Sequence, residues 1–153
     1  MSTMSVRLRT LPQTQATIGH AGAHTVVVDR PAGKAGGQGL GFNGGELLAL
    51  AIGGCLCNDL HYVAHGMGIA LSSVAVDVDL TFDGSPGLAT AAIVKVQATA
   101  TDPHADTGEL IRRAVETSTV SNSLQRGFPI RTGVSIETGS KDDTNPAETH
   151  FLN

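Results

Sequence analysis

Residues 43–66 read NGGELLALAIGGCLCNDLHYVAHG. From Leu47 to Ile52 every side chain is apolar, so the stretch shows no polar face at helical spacing. A helix that is apolar all round is one the fold buries. Asn58, Asp59 and His61 end the run before it is long enough to span a bilayer. The stretch predicts a central helix over residues 46–65, stopped by Gly66 and Gly68, with the rest of the chain forming its walls.

The remaining composition suits that role. A chain of 153 residues is long enough for one domain with a true core. Aromatic residues are 3% of the chain and there is no Trp, so the core has to be aliphatic. The formal net charge is -4 and no block of Lys or Arg occurs. A nucleic-acid-binding face needs clustered basic residues, and so does a patch for anionic membranes; neither partner is expected. The first ten residues, MSTMSVRLRT, lack the apolar segment of a secretory signal, and the expected location is the cytoplasm. Cys55 and Cys57 lie two apart, which on a helix turns their side chains about 200° from each other. They are expected to be free thiols in a reducing compartment.

Outward from the helix the periodicity changes. Upstream, residues 6–17 are extended, with Val6 and Leu8 alternating against Arg7 and Arg9, and Pro12 marks an edge strand. Residues 19–22 read as a turn, HTVVVD at 24–29 as a strand, and 33–45 as a glycine-rich loop. Downstream, Val74, Val76, Val78, Leu80 and Phe82 alternate with polar or small residues. A turn at 83–87 returns the chain along 88–101, which predicts an antiparallel hairpin. Asp106 and Glu109 have capping-box spacing before a helix that runs to about Val120. Residues 128–138 predict a last strand and 139–153 a polar tail. The result is a single α+β domain over 1–138, antiparallel sheet with helices packed on one side. One sheet covers only one side of an all-round apolar helix, so the other side calls for a second copy: an intimate homodimer.

Gly39 to Gly44 spells G-x-G-x-x-G, but no strand directly precedes it and no second strand with an acidic end follows, so it reads as a loop giving backbone room. Cys57, His61 and His65 share a helical stripe, and Cys and His are zinc ligands. His20, His24, His104 and His150 fall in no ligand pattern that would complete a site. Neither metal nor cofactor is expected. Gly53 and Gly54 cost the helix roughly 1 kcal/mol each relative to alanine. Close approach of another element, or space for a ligand, has to offset that. Cys55 follows directly, either as a small core hydrophobe or as a nucleophile.

The segment from Asn43 to Cys55, NGGELLALAIGGC, resembles the helix start of the OsmC/Ohr family, the osmotically inducible and organic hydroperoxide resistance proteins. That start is an N-P-x-E-L-L-x-A pattern leading to a cysteine. The hairpin after Gly-Ile-Ala-Leu at 68–71 is similar to the family's, and Val120-Ser121-Asn122-Ser123-Leu124 resembles its second-helix motif, C-P-x-S-N-A-L. The resemblance covers about residues 6–138. It implies an intertwined α+β homodimer with sites at the subunit interface. It also implies reduction of organic hydroperoxides by a cysteine that becomes a sulfenic acid and is resolved by a second cysteine, assisted by an Arg and a Glu. Cys55 falls on the reactive position, and Cys55 with Glu46 are the candidate catalytic residues.

Three positions depart from that pattern. Ser118 stands where the resolving cysteine falls. Gly45 stands where the peroxidases' glutamate falls, ten residues before the reactive cysteine, with Glu46 one later as in other branches. On an unbroken helix Glu46 and Cys55 lie about 13 Å apart on opposite faces. No arginine stands at 19–23; His20, Arg7, Arg9 and Arg30 are the possible replacements. The expectation is a one-cysteine cycle in which an external thiol regenerates Cys55. An apolar pocket of Leu47, Leu48, Leu50 and a facing subunit would take a small apolar hydroperoxide. The alternative is a non-catalytic dimer of the same fold that binds a small apolar ligand.

Overall fold

The computed structural model describes residues 2–134 and 150–152. The elements run β1 (Arg7–Thr10), β2 (Thr17–Ala21), β3 (His24–Val28), α1 (Gly44–Met67), β4 (Leu71–Asp83), β5 (Leu88–Ala100), α2 (Thr107–Thr117), α3 (Thr119–Arg126), β6 (Thr132–Val134) and β7 (His150–Leu152). This is the expected α+β arrangement with antiparallel pairing throughout its three sheets.

α1 is longer than the apolar run suggests because both its ends are chemically closed. The Asn43 side chain accepts the Glu46 N–H at 3.0 Å, and Glu46 Oε2 accepts the Asn43 N–H at 2.8 Å. This reciprocal box starts the helix two residues earlier than expected and is worth about 1 kcal/mol. Gly66 stays helical. Gly68, at φ 68°, closes the helix, with Gly68 N–H donating to His65 O at 3.2 Å and Ile69 N–H to Ala64 O at 2.9 Å. By length and composition α1 is therefore long and apolar enough to cross a membrane, which the shorter stretch did not suggest.

Its packing is that of a core helix on one stripe only. Ile52, Gly53, Leu56, Leu60 and Ala64 are buried. Leu56, Leu60 and Ala64 join Leu110 and Ala114 of α2 in the core, closed by Val74, Val76, Val94, Val96 and Ala98 of the hairpin. The register Val76↔Val96 and Val78↔Val94 lays that valine face against the helix. Gly53 is there because β4 lies close: a Cβ would sit 3.2 Å from Val78 Cγ2. A Cβ on Gly54 would meet nothing within 4 Å. The expectation of burial on all sides thus fails within one chain. Leu50 is 53% and Tyr62 76% exposed, and only 28% of the most apolar window of α1 is buried.

The first sheet also differs from expectation. Residues 6–17 are not one strand, and 19–22 is not the turn. Thr14 Oγ1 donates to Leu11 O at 2.8 Å and accepts from Ala16 N–H at 3.1 Å, building a turn that frees Thr17–Ala21 to pair as the middle strand. The second turn is at Gly22, φ 60°. Gly19 is buried where Leu8 and Val26 flank it. This sheet contributes no side chain to the core cluster.

Asp29, buried at the end of β3, organises the glycine-rich loop. Its carboxylate accepts backbone N–H groups of Arg30 (2.8 Å), Gln38 (3.0 Å) and Leu40 (3.1 Å). The Leu40 N–H is the main cause of its lowered pKa, with help from Gln38 and Arg30 against the opposing effect of burial. A Cβ on Gly41 would fall 2.1 Å from Val27 O. That glycine of the G-x-G-x-x-G spacing is explained by backbone contact, and the loop reading holds.

The second helix stops short of Val120. Ser118, at ψ 113°, breaks the ladder, and α3 starts at once. Asp106 caps α2 by accepting the Glu109 N–H at 2.9 Å, but Glu109 turns away to Arg112 and Arg113, so the box is half formed. The last strand is shorter than 128–138: β6 is Thr132–Val134, and residues 135–138 lie outside the described residues. Of the expected tail, His150–Leu152 pairs with β6, and 139–149 lie outside the described residues.

Leu60 and Leu110 are fully buried against each other's helices. Leu60→Ala is expected to destabilise the fold by about 2–5 kcal/mol in denaturant unfolding.

Candidate functional site around Cys55

Cys55 sits half-buried on α1, and polar atoms reach its sulfur from two sides. One turn on, Asp59 Oδ2 accepts from Sγ at 3.5 Å. From the α2–α3 junction, Ser118 Oγ donates to Sγ at 3.9 Å and has Ser121 Oγ at 3.3 Å as its other partner. Ser118 is 1% exposed. The break between the helices is what points it inward. Asn122 holds that break, its amide donating to Ser118 O at 2.8 Å and to Glu116 O at 3.0 Å. Bonds to sulfur are individually weak. Together the four residues form a polar thread, Ser121–Ser118–Cys55–Asp59, beside aliphatic packing.

Leu48, Ile52, Cys55 and Asp59 follow i, i+4, i+7, i+11 spacing and share one stripe. Leu48, Ile52 and Ser121 line a hollow of about 390 Å³, with Leu80, Val94 and Leu124 completing its apolar wall. Glu46 is on the other side. It shares a stripe with Leu50, Gly53 and Cys57, and these line a second hollow of about 540 Å³ with Phe42 and Val76. α1 runs unbroken from before Glu46 to beyond Cys55, so a bent lead-in does not bring them together, and the Glu46 carboxylate is engaged in the cap. Within one chain Glu46 is on the face of Cys57, not of Cys55. Leu47 opens onto a third hollow, under the first sheet with His20 and His24. The expected single pocket of Leu47, Leu48 and Leu50 is therefore corrected: successive helical residues turn by about 100°, and the three leucines face three hollows.

The candidate replacements for the arginine are placed elsewhere. Arg30 donates to Gln15 Oε1 at 3.0 Å and Arg9 to Leu8 O at 2.7 Å. Among the described residues, no arginine hydrogen-bonds to Cys55 or Asp59. His61 and His65 are exposed. Among the described residues no three His, Cys, Asp or Glu side chains converge on a possible metal position. Asp59 and Ser121 are the site residues the sequence reading missed. The i, i+4 spacing of Cys55 and Asp59 was a usable signal for the first; the second needed the helix break.

A strap of antiparallel sheet, a long central helix and a cysteine facing a short second-helix break define an α+β thiol protein. The family model for OsmC-like proteins matches residues 36–133, and the chain belongs to that family. An OsmC-like protein of unknown function from Vibrio cholerae is 11% identical, with a TM-score of 0.67 over 80% of this chain and 94% of its own. An OsmC-like protein from Mycoplasma pneumoniae is 14% identical, TM-score 0.66, over 81% and 88%. The organic hydroperoxide resistance protein OsmC of Legionella pneumophila is 20% identical, TM-score 0.58, over 82% and 90%. At these identities the likeness is one of fold. No curated protein matches the chain.

The 3.9 Å approach of Ser118 Oγ to Cys55 Sγ makes a direct test of the register possible. Ser118→Cys is expected to form a 55–118 disulfide on mild oxidation. Thiol titration should then fall from three groups to one, with Cys57 still alkylated in peptide mapping.

Proposed function

We propose that this protein reduces organic hydroperoxides with Cys55 as the nucleophile and an external thiol as reductant. The observation that supports the reading is the position of Cys55: partly accessible, faced by Ser118, and on the stripe whose Leu48 and Ile52 line an apolar hollow, at the place where the sequence resemblance puts the family's reactive cysteine. The thiol sulfur attacks the distal peroxide oxygen, the O–O bond breaks, and the thiol proton ends on the departing alkoxide. The products are an alcohol and Cys55 sulfenic acid. One external thiol condenses with the sulfenic acid, releasing water. A second displaces it and restores Cys55. Two free thiols persist in a reducing cytoplasm, the compartment proposed here.

The same reading includes a homodimer. Leu50 and Phe42 are exposed beside Gly54 on the open side of α1, and the apolar face of the first sheet borders a hollow that Leu47 of that helix also lines. A second copy would cover both, and it is the remaining route by which Glu46 reaches Cys55. A rival reading, apolar-ligand binding without turnover, is favoured by one observation: no arginine bonds to Cys55 among the described residues.

A coupled assay with cumene hydroperoxide and a dithiol separates the two. Turnover is expected in the wild type and in Cys57→Ser and lost at least a hundredfold in Cys55→Ser; equal rates in wild type and Cys55→Ser would leave the binding protein. Light scattering at micromolar concentration is expected to give twice the chain mass, and a monomer would remove the dimer.

A further inference from the structure

Resting on the peroxidase reading, we propose that Asp59 and Ser118 act as a cradle for the oxidised form of Cys55, holding it as a neutral sulfenic acid until an external thiol arrives. The geometry has one acceptor and one donor on the same sulfur. Asp59 Oδ2 lies 3.5 Å from Sγ and Ser118 Oγ lies 3.9 Å from it. When an oxygen is added to the sulfur, the new S–O–H group brings one donor and one acceptor with it. Its O–H donates to the Asp59 carboxylate, and its oxygen accepts from the Ser118 hydroxyl. Ser121 Oγ, 3.3 Å from Ser118 Oγ, can satisfy the lone pair of Ser118 while that hydroxyl turns toward the sulfenic oxygen. A buried polar group without a partner is costly, and this intermediate meets both partners where it forms.

The same arrangement explains how the cycle proceeds without a resolving cysteine. In a two-cysteine cycle the sulfenic acid is short-lived because a second thiol waits beside it. Here a hydroxyl occupies that place and cannot condense. The oxidised state must then survive long enough for a thiol in solution to find it, and avoid a second oxidation to sulfinic acid. Asp59 and Ser118 touch the reacting sulfur, and the role assigned to them here is to hold the intermediate once it has formed.

The test follows the lifetime of the intermediate separately from its formation. Full-length protein carrying Cys57→Ser is treated with an excess of cumene hydroperoxide, which serves as oxidant for both the first and the second oxygen, then mixed with dimedone after set delays and analysed by mass spectrometry. With the cradle intact, Cys55 is expected to gain one oxygen and remain trappable over the delays. Ser118→Ala and Asp59→Ala are each expected to shorten that period severalfold and raise the two-oxygen product. The initial rate of thiol loss is recorded in the same runs, so that lifetimes are compared at equal amounts of sulfenic acid formed. Asp59 is partly exposed, so its variant folds even if the buried Ser118 does not tolerate change, and circular dichroism verifies both. Unchanged lifetimes in the folded variants would overturn the cradle while leaving the peroxidase reading in place. If no oxygen is added to Cys55 by the hydroperoxide, both are overturned.

Discussion

One mismatch governs this molecule: over Leu47 to Ile52 α1 is apolar around its whole circumference, and the described chain has cover for a single stripe. Leu56, Leu60 and Ala64 take the valine face of the hairpin and the two buried residues of α2. Everything at right angles to that stripe is left to hollows or to solvent. Leu50 and Tyr62 are the plainest cases, and Gly54 is the subtlest, because it gives up helix propensity with no neighbour among the described residues that requires it. This exposed apolar surface is what the proposed second copy would cover.

The candidate site follows from how that helix distributes its residues. A turn of about 100° per residue puts Cys55 and Cys57 on different sides of the helix, Cys57 on the hollow that Glu46 also lines. Glu46 goes with the second thiol, and its carboxylate is already part of the reciprocal cap. Cys55 is left with partners that are short, polar and local: an aspartate one turn on, and a serine delivered by a helix break. Asn122 has the decisive supporting part, since it satisfies the carbonyls that the break at Ser118 exposes.

Most of the fold was legible because long periodic segments are read from side-chain pattern alone. The hairpin and the central helix fall in this class. What was not legible depended on atoms rather than pattern. The capping box at Asn43 moved the start of α1, and a turn held by Thr14 converted one expected strand into two. Ser118 reads as an ordinary helical residue until its ψ of 113° is seen. Asp59 is a missed case of a different kind: its spacing from Cys55 was visible, but it was counted only as a polar end to an apolar run. The expected leucine pocket failed because Leu48 is turned about 100° from Leu47, and Leu47 and Leu50, though neighbours at i, i+3, are taken up by different walls: the first sheet on one side and Phe42 with β4 on the other.

The three-stranded sheet at the start of the chain has its own turns and its own register, and it is absent from the core cluster. It is joined to the rest by the Asp29-bound loop and the single bridge from Val28 to Phe42. A segment with so few contacts to the rest has the makings of a separate cooperative unit, one that can open without melting the helices. In the homodimer proposed above, the second copy would cover its apolar face, so assembly and local order there would be one equilibrium, and dilution would loosen the first thirty or so residues.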